Sequence, residues 1–193
     1  MMQYIKKNKD WILINLPALV ILIFLIVDPS MHKTMRAWTG YIAVSLLVLL
    51  LAINPLKTLF KNIVFLSKIS RYRRVVGVAI FTYSVVHLLC YLIKKGGILA
   101  AMKYVFHPVI ITGLISFTIF IPLAITSNNY FVKKMGHVKW KKLHEKVYIA
   151  EFGIIMHMIL MGGTARLVGI LSFIPLIIIQ YMRRLRKKRL NNR

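Results

Sequence analysis

Long apolar stretches alternate with short polar connections along the whole chain. Roughly 20 mostly apolar residues cross a bilayer as a helix, and a few fewer suffice where interfacial side chains anchor the ends. The second and fifth stretches reach this length only with their amphipathic neighbours. The pattern predicts an all-α integral membrane protein with six transmembrane helices, at about residues 11–27, 38–54, 75–93, 108–126, 144–161 and 166–181.

Aromatic side chains support these boundaries, because Trp and Tyr rings prefer the headgroup level of a bilayer. A signal peptide is the alternative for the first stretch, but this stretch contains Asn15 and Pro17 and ends without a small-x-small cleavage site. Since no repeat or long linker divides the sequence, we expect residues 1–193 to form a single transmembrane domain. The rings near predicted helix ends are Trp11, Trp38, Tyr91, Tyr104, Tyr130, Trp140, Tyr148 and Tyr181.

The composition combines two extremes. Of the 193 residues 59% are hydrophobic, yet 28 are Lys or Arg and only 4 are Asp or Glu, which gives a formal net charge of +24. Ordinary soluble domains have fewer apolar residues and balanced charge, and disordered basic arms lack this much Leu, Ile, Val and Phe. A nucleic-acid site would need the basic residues in one patch. They alternate with apolar runs instead, so we expect a lipid environment and no nucleic-acid partner.

The basic residues divide unequally between alternate connections. Three precede the first helix, six lie in residues 54–74, six in 127–146 and seven after Tyr181, so 22 of the 28 fall on one side. The positive-inside rule assigns the richer side to the cytoplasm. We therefore expect both termini in the cytoplasm, with the first, third and fifth helices running outward in parallel.

Two histidines lie inside apolar helices, where an ionisable side chain is costly and indicates function. At a rise of about 1.5 Å per residue, His87 and His157 lie at matching depths in the outer half of the third and fifth helices. Two imidazoles at one level between parallel helices can supply both axial ligands of a b-type haem. An interhelical hydrogen bond is the alternative for either histidine taken alone.

A second candidate level lies toward the cytoplasm. His144 precedes His157 by 13 residues, which is about 20 Å along one helix. Thirteen residues before His87 is Arg74, next to Arg73. Arginine stays protonated and has no free lone pair for iron, so we expect this pair to bind haem propionates or a phosphate. A second haem is predicted here with its ligation left open.

Other residues with reactive side chains receive simpler interpretations. Glu151, inside the fifth helix, either contacts a proton or quinone path or makes a local hydrogen bond or ion pair. The lone Cys90 excludes an internal disulfide and a cysteine-based metal cluster. His32, His107 and His137 fall in connections, where solvated or interfacial side chains are expected.

An ordered set of residues carries a family resemblance. It comprises Arg73-Arg74-Val75-Val76-Gly77, His87, Tyr91, Pro108, Gly113, Pro122-Leu123-Ala124-Ile125-Thr126-Ser127, Gly136, Trp140, Leu143-His144, Tyr148 and His157. From about Thr39 to His157, this set resembles the MsrQ (YedZ) family of haem-binding membrane subunits, within the ferric-reductase-like transmembrane group.

The resemblance implies a six-helix b-haem protein with a haem-binding core at about residues 39–157. Such a subunit carries electrons across the bacterial inner membrane to an MsrP-like periplasmic molybdopterin enzyme, which reduces methionine sulfoxide and so repairs oxidised proteins. Terminal catalysis then lies in the partner. The family's ligand positions correspond to His87 and His157 for one haem and to His144 for the inner site, where Arg73 or Arg74 matches a basic position. The family also implies flavin mononucleotide (FMN) and a quinol or cytosolic flavin reductase as the electron donor.

Two positions depart from the family pattern. His107 stands before Pro108 where arginine is expected, and Glu151 occupies a small apolar position. The sequence contains no G-x-G-x-x-G or other nucleotide-binding fingerprint, so we expect electrons to come from another protein or a quinol. The alternatives are a stand-alone transmembrane ferric-reductase-like haem protein and, from another class, a haem-free transporter.

Overall fold

Helices make up nearly all of the protein. The computed structural model describes residues 2–191, with the side chains of residues 12–190 apart from Pro29, so the ring of Trp11 lies outside the described part. Within residues 2–191 there is no strand, which confirms the all-α prediction. The helices are α1 (Met2–Val27), α2 (His32–Leu59), α3 (Val64–Ile69), α4 (Arg73–Lys95), α5 (Ile98–Met102), α6 (Pro108–Ile125), α7 (Asn129–Met135), α8 (His137–Glu145), α9 (Val147–Met161) and α10 (Gly163–Asn191).

Four helical segments are long and apolar enough to cross a membrane, judged by length and composition within the described residues. They are His32–Leu59, Val64–Lys95, Pro108–Ile125 and Gly163–Leu190. The apolar part of α1, Ile12–Val27, is shorter, and α9 has 15 residues against the roughly 20 that span a bilayer. The structure therefore supports a membrane protein with several spans and leaves α1 and α9 as short helices.

The fifth predicted helix differs from the structure in its first part. Instead of one helix over about 144–161, a short polar helix, α8, ends at Glu145 and α9 begins at Val147. His144 therefore lies on a different helix from His157. The sequence of α8, with three lysines among nine residues, does not suit the interior of a bilayer.

The bundle is built from two tightly packed helix pairs. α2 packs along α4, and α6 packs along α9, while α10 covers α2 and α9, and α1 covers α4. One cluster of buried apolar side chains joins α2, α4, α6, α9 and α10, with Leu47, Ile80 and Phe173 at its centre. Each pair contributes one of the two membrane histidines, His87 on α4 and His157 on α9.

Glycines end the two helices that carry the membrane histidines, α4 and α9. α4 ends at Gly96, whose left-handed φ of 80° suits glycine at the end of a helix. α9 ends at Gly162 with φ 74°. Pro108 opens α6, where its missing N–H costs no helical hydrogen bond. These ends fix how far His87 and His157 lie from the connections that follow them.

Candidate haem site

Two imidazole rings face each other between the two helix pairs. The ring centroids of His87 and His157 are 6.4 Å apart, and the ring planes cross at 82°. Both rings line a cavity of about 450 Å³, here called the histidine-pair cavity. A cavity of this size is in the range that binds small molecules and cofactors. The structure thus brings together the two histidines that the sequence placed at one depth.

Each ring is oriented by a backbone carbonyl on the neighbouring helix. Nδ1 of His87 lies 2.9 Å from the carbonyl oxygen of Arg36, and Nδ1 of His157 lies 2.7 Å from that of Val109. A carbonyl can only accept, so each Nδ1 carries the proton and donates it. In the neutral imidazole, Nε2 then has a free lone pair. A protonated Nδ1 bound to a carbonyl is the arrangement that metal-ligating histidines usually adopt.

The distance between the rings fits one metal ion between them. A metal–nitrogen bond of about 2 Å on each side, together with the ring radius, separates two ligating imidazole centroids by about 6 Å. The observed 6.4 Å agrees with this value. Among the described residues no group of three or more His, Cys, Asp and Glu side chains could hold a metal. The two imidazoles therefore suit a metal whose other ligands come from a cofactor, as in haem.

The remaining lining of the histidine-pair cavity is apolar except at a few positions. Arg36 and Tyr91 line it, and the Nε atom of the first and the hydroxyl of the second are buried without a hydrogen-bond partner in the structure. An unpaired buried polar atom costs about 1–3 kcal/mol, so such atoms indicate a missing partner. The guanidinium of Arg36 and the phenol of Tyr91 could donate hydrogen bonds to the propionates of a haem in the histidine-pair cavity. The apolar lining includes Val44, Ile80, Leu88, Ile110, Phe117 and Phe120.

A second cavity, of about 670 Å³, lies beside α8 and is here called the arginine cavity. Four arginines line it together with His144, and Glu145 is the one acidic residue among the described residues of this lining. The structure therefore brings His144 and the Arg73-Arg74 pair to one place, although His144 now comes from α8. The four arginines are Arg71, Arg73, Arg74 and Arg183.

Each arginine of the Arg73-Arg74 pair donates to a neutral side-chain amide. Arg73 donates from Nη1 to the side-chain oxygen of Asn54 at 3.0 Å, and its buried Nε has no partner in the structure. Arg74 donates to the side-chain oxygen of Asn129 and lies over the ring of Trp140, with Cζ 5.5 Å from the centroid. Both bonded partners are neutral amides, so neither cancels a guanidinium charge. The excess of positive charge in the cavity suits an anionic group.

His144 is arranged differently from the histidine pair. Its Nε2 lies 3.0 Å from the hydroxyl of Thr126, and its ring stacks on Trp140 with the two ring centroids 4.0 Å apart. Burial, followed by the charges of Arg74 and Arg73, lowers the pKa of His144 to about 4, so the ring is neutral at pH 7. A neutral imidazole can ligate a metal, but its Nε2 already has a partner.

Glu151 lies apart from both cavities. The side chain is 5% exposed and accepts a hydrogen bond of 2.9 Å from Nε2 of Gln180 on α10. It lines neither the histidine-pair cavity nor the arginine cavity. The structure thus provides the local hydrogen bond that was one of its two interpretations.

Comparison with known proteins places the chain in a family. A family model described as the ferric reductase like transmembrane component matches residues 36–155, more than half of the chain. The chain belongs to this family. The matched stretch begins at Arg36 and ends two residues before His157, so it includes α4 and α6 entirely and most of α2 and α9. Membership confirms the resemblance found in the sequence and makes the protein a multi-pass membrane protein.

Relatives within the ferric-reductase-like family carry a more specific name. A protein-methionine-sulfoxide reductase heme-binding subunit, MsrQ, of Brucella ovis is 36% identical over 131 residues, which are 66% of this chain and 57% of that relative. The MsrQ of Brucella anthropi is 35% identical over the same shares. The chain thus spans a little over half the length of the curated relatives it matches. No solved structure matches the chain.

Sequence reasoning missed several groups that form the site of this ferric-reductase-like protein. The carbonyls of Arg36 and Val109 carry no side-chain signal, and only the fold shows which carbonyls meet the histidines. In the sequence, Arg36 is only one of the six basic residues on the side of the membrane that has fewer of them. Gly40 carries no signal there at all. Gly113 stands among the residues of the family resemblance, without a role.

Proposed function

We propose that this ferric-reductase-like protein is a b-type haem electron-transfer subunit. The observation that carries the proposal is the pair of imidazoles, His87 and His157, whose centroids are 6.4 Å apart and whose Nδ1 atoms are both bonded to carbonyls. Haem, when bound, supplies one-electron redox chemistry, while the polypeptide sets ligation, dielectric and spacing. The MsrQ relatives are named as heme-binding subunits, which supports the same cofactor.

The residues of the histidine-pair cavity have distinct roles in this proposal. His87 and His157, on the two helix pairs, would hold a bound haem iron through Nε2, because both Nδ1 atoms are bonded to carbonyls. Arg36 and Tyr91 offer buried donors to the propionates. The apolar lining excludes water and keeps the macrocycle in a low dielectric. Removing any one of these groups should change the spectrum or the retention of the haem.

The arginine cavity is the proposed inner cofactor site. Its four guanidinium groups and the stacked rings of Trp140 and His144 suit a planar anionic group. A second haem is the first assignment, with Arg73 and Arg74 on its propionates. His144 would ligate it through Nδ1, or through Nε2 once the contact with Thr126 is given up. FMN in or near this cavity is the alternative, because its flavin ring also needs a flat stacking partner and its phosphate also needs positive charge. Counting haems against flavin in the purified protein separates these assignments.

We also propose that the chain crosses the bacterial inner membrane six times with both termini in the cytoplasm. The 22 basic residues on one side against 6 on the other support this orientation. For α1 and α9 to span, flanking residues and local thinning of the bilayer would have to compensate for their length. Reporter fusions test this topology: a cytoplasmic reporter should be active at either terminus, and activity of a periplasmic reporter at one end would contradict it.

The proposed partners lie on the two sides of the membrane. The relatives are named as subunits of a protein-methionine-sulfoxide reductase. We propose an MsrP-like periplasmic molybdopterin reductase as the acceptor, so that the pair repairs oxidised periplasmic proteins. A quinol or a cytosolic flavin reductase is the proposed donor. In this scheme electrons pass from the arginine-cavity side to the histidine-pair side and then leave the chain.

One experiment tests the function directly. The purified protein is reduced anaerobically, and reoxidation of its Soret band is followed after adding an MsrP-like enzyme with methionine sulfoxide. Rapid reoxidation that needs both additions is expected. A protein without a dithionite-sensitive Soret band after expression with sufficient haem would refute the haem assignment. Equally fast reoxidation by a ferric chelate alone would favour the stand-alone reductase.

A further inference from the structure

Two glycines stand at corresponding places beside the two histidines. A Cβ added to Gly40 on α2 would lie 2.9 Å from Nδ1 of His87 and 3.0 Å from its Cε1. A Cβ added to Gly113 on α6 would lie 3.0 Å from Nδ1 of His157 and 3.1 Å from its Cε1. Contacts below or near 3.0 Å force the ring or the backbone to move. Both glycines therefore make room for a ring edge that carries the donating nitrogen.

The glycines are related in the same way to the carbonyls that hold the rings. Gly40 follows Arg36 by four residues, and Gly113 follows Val109 by four. In an α-helix the carbonyl of residue i accepts from the N–H of residue i+4, and the Cβ of residue i+4 leans back toward that carbonyl. A side chain at i+4 would thus cover the carbonyl. Glycine leaves it open to a further donor from the neighbouring helix. A threonine hydroxyl of the same helix also donates to each carbonyl, Thr39 to that of Arg36 at 3.2 Å and Thr112 to that of Val109 at 3.0 Å.

We propose that Gly40 and Gly113 are ligand-positioning residues of the haem site. Each exposes a helical carbonyl to the Nδ1–H of one histidine, and we call such a glycine with its carbonyl a cradle. The two cradles together set the angle of 82° between the ring planes. This inference rests on the proposed haem function and goes beyond it by assigning the residues that set ligand orientation. For no other described glycine is a histidine ring atom among the three nearest neighbours of the added Cβ.

Crossed ligand planes have an observable consequence. Perpendicular imidazoles bring two occupied iron d orbitals close in energy, which gives low-spin ferric haem an unusually large low-field g value. The Nδ1–H bond to a carbonyl also makes the ligand more basic and stabilises ferric iron. A ring displaced from its carbonyl should therefore show a smaller low-field g value and a higher midpoint potential.

The test uses the whole protein in detergent, loaded with haem, and compares Gly40→Ala and Gly113→Ala with wild type. The control is Leu49→Ala, because Leu49 is an exposed side chain on α2 that lines neither cavity. We expect both cradle variants to lower the low-field g value of the histidine-pair haem, raise its potential and reduce haem affinity by about tenfold. We expect the control to keep the wild-type g value and potential at that haem. Unchanged signals in both cradle variants would overturn the inference while leaving the haem function intact.

A second measurement covers the case in which a cradle variant fails to fold. In a His87→Ala background there is no ring for the new methyl group to meet, and alanine is favoured over glycine in helices. Gly40→Ala should then leave the thermal midpoint of the haem-free protein unchanged or raise it. An equal loss of thermal stability with and without the His87 ring would refute the cradle. Absence of haem from the wild-type protein would instead refute the proposed function.

Discussion

The carbonyl oxygen of Arg36 lies 2.9 Å from Nδ1 of His87, across 51 residues of sequence. The same contact recurs between Val109 and His157 at 2.7 Å on the other helix pair. These bonds fix which nitrogen of each ring is protonated, and so leave the two Nε2 atoms as the available ligands. Backbone carbonyls therefore orient the two histidines of the proposed haem site.

The histidine pair should be necessary for one haem, and His144 should not. His87→Ala and His157→Ala should each abolish the low-spin signal of that haem, because each removes one of the two proposed ligands. His144→Ala should leave that signal largely intact, because His144 lies in the arginine cavity. Low-temperature optical spectra of purified variants measure this difference. Equal loss in all three variants would contradict two separate sites.

Arg36 should contribute to haem retention through its side chain as well as its carbonyl. Arg36→Gln removes the charge that is available to a propionate but keeps the backbone carbonyl, so we expect about tenfold weaker haem binding with a preserved low-spin spectrum. Haem transfer to apomyoglobin measures the loss. Lys33→Gln, which removes an exposed charge one turn away, is the control and should retain haem like wild type. Equal retention by the Arg36 variant would exclude a propionate contact.

The arginine pair should affect only the second cofactor. Arg73→Gln with Arg74→Gln removes two of the four guanidinium groups lining the arginine cavity, so its anionic occupant should be lost. Total haem or flavin per polypeptide, measured after acid extraction, should fall while the histidine-pair spectrum persists. Lys61→Gln is a control for charge alone, since Lys61 is exposed outside this cavity. Unchanged cofactor content would mean that Arg73 and Arg74 do not bind this cofactor and serve only to orient the chain in the membrane.

Glu151 should stabilise the bundle without serving electron transfer. Glu151→Leu leaves Nε2 of Gln180 without this acceptor, so we expect a loss of about 1–3 kcal/mol in stability. Glu151→Gln keeps an acceptor oxygen and should retain both the thermal midpoint and the rate of quinol-driven haem reduction. Stopped-flow reduction measures that rate, with Asp28→Asn as an exposed acidic control. A marked slowing in Glu151→Gln alone would assign the carboxylate to a proton or quinone path.

The helical architecture was largely predictable, because apolar runs of bilayer length and their basic flanks are local properties of the sequence. The joint between α8 and α9 was not. His144 and His157 are 13 residues apart, and a continuous helix was the simplest expectation. The polar sequence of α8 and the turn at Lys146 separate them.

The sequence by itself determined the fold class and the uneven charge distribution. It also singled out His87 and His157 as candidate ligands, because burying an ionisable side chain in an apolar helix is costly wherever the helix packs. The tertiary structure decided which groups orient those rings. Backbone carbonyls are the same in every residue, and the need for glycine at positions 40 and 113 arises only where a second helix brings a ring against them. It also gave Nε2 of His144 a partner in Thr126, because that contact depends on how α8 folds back beside the end of α6.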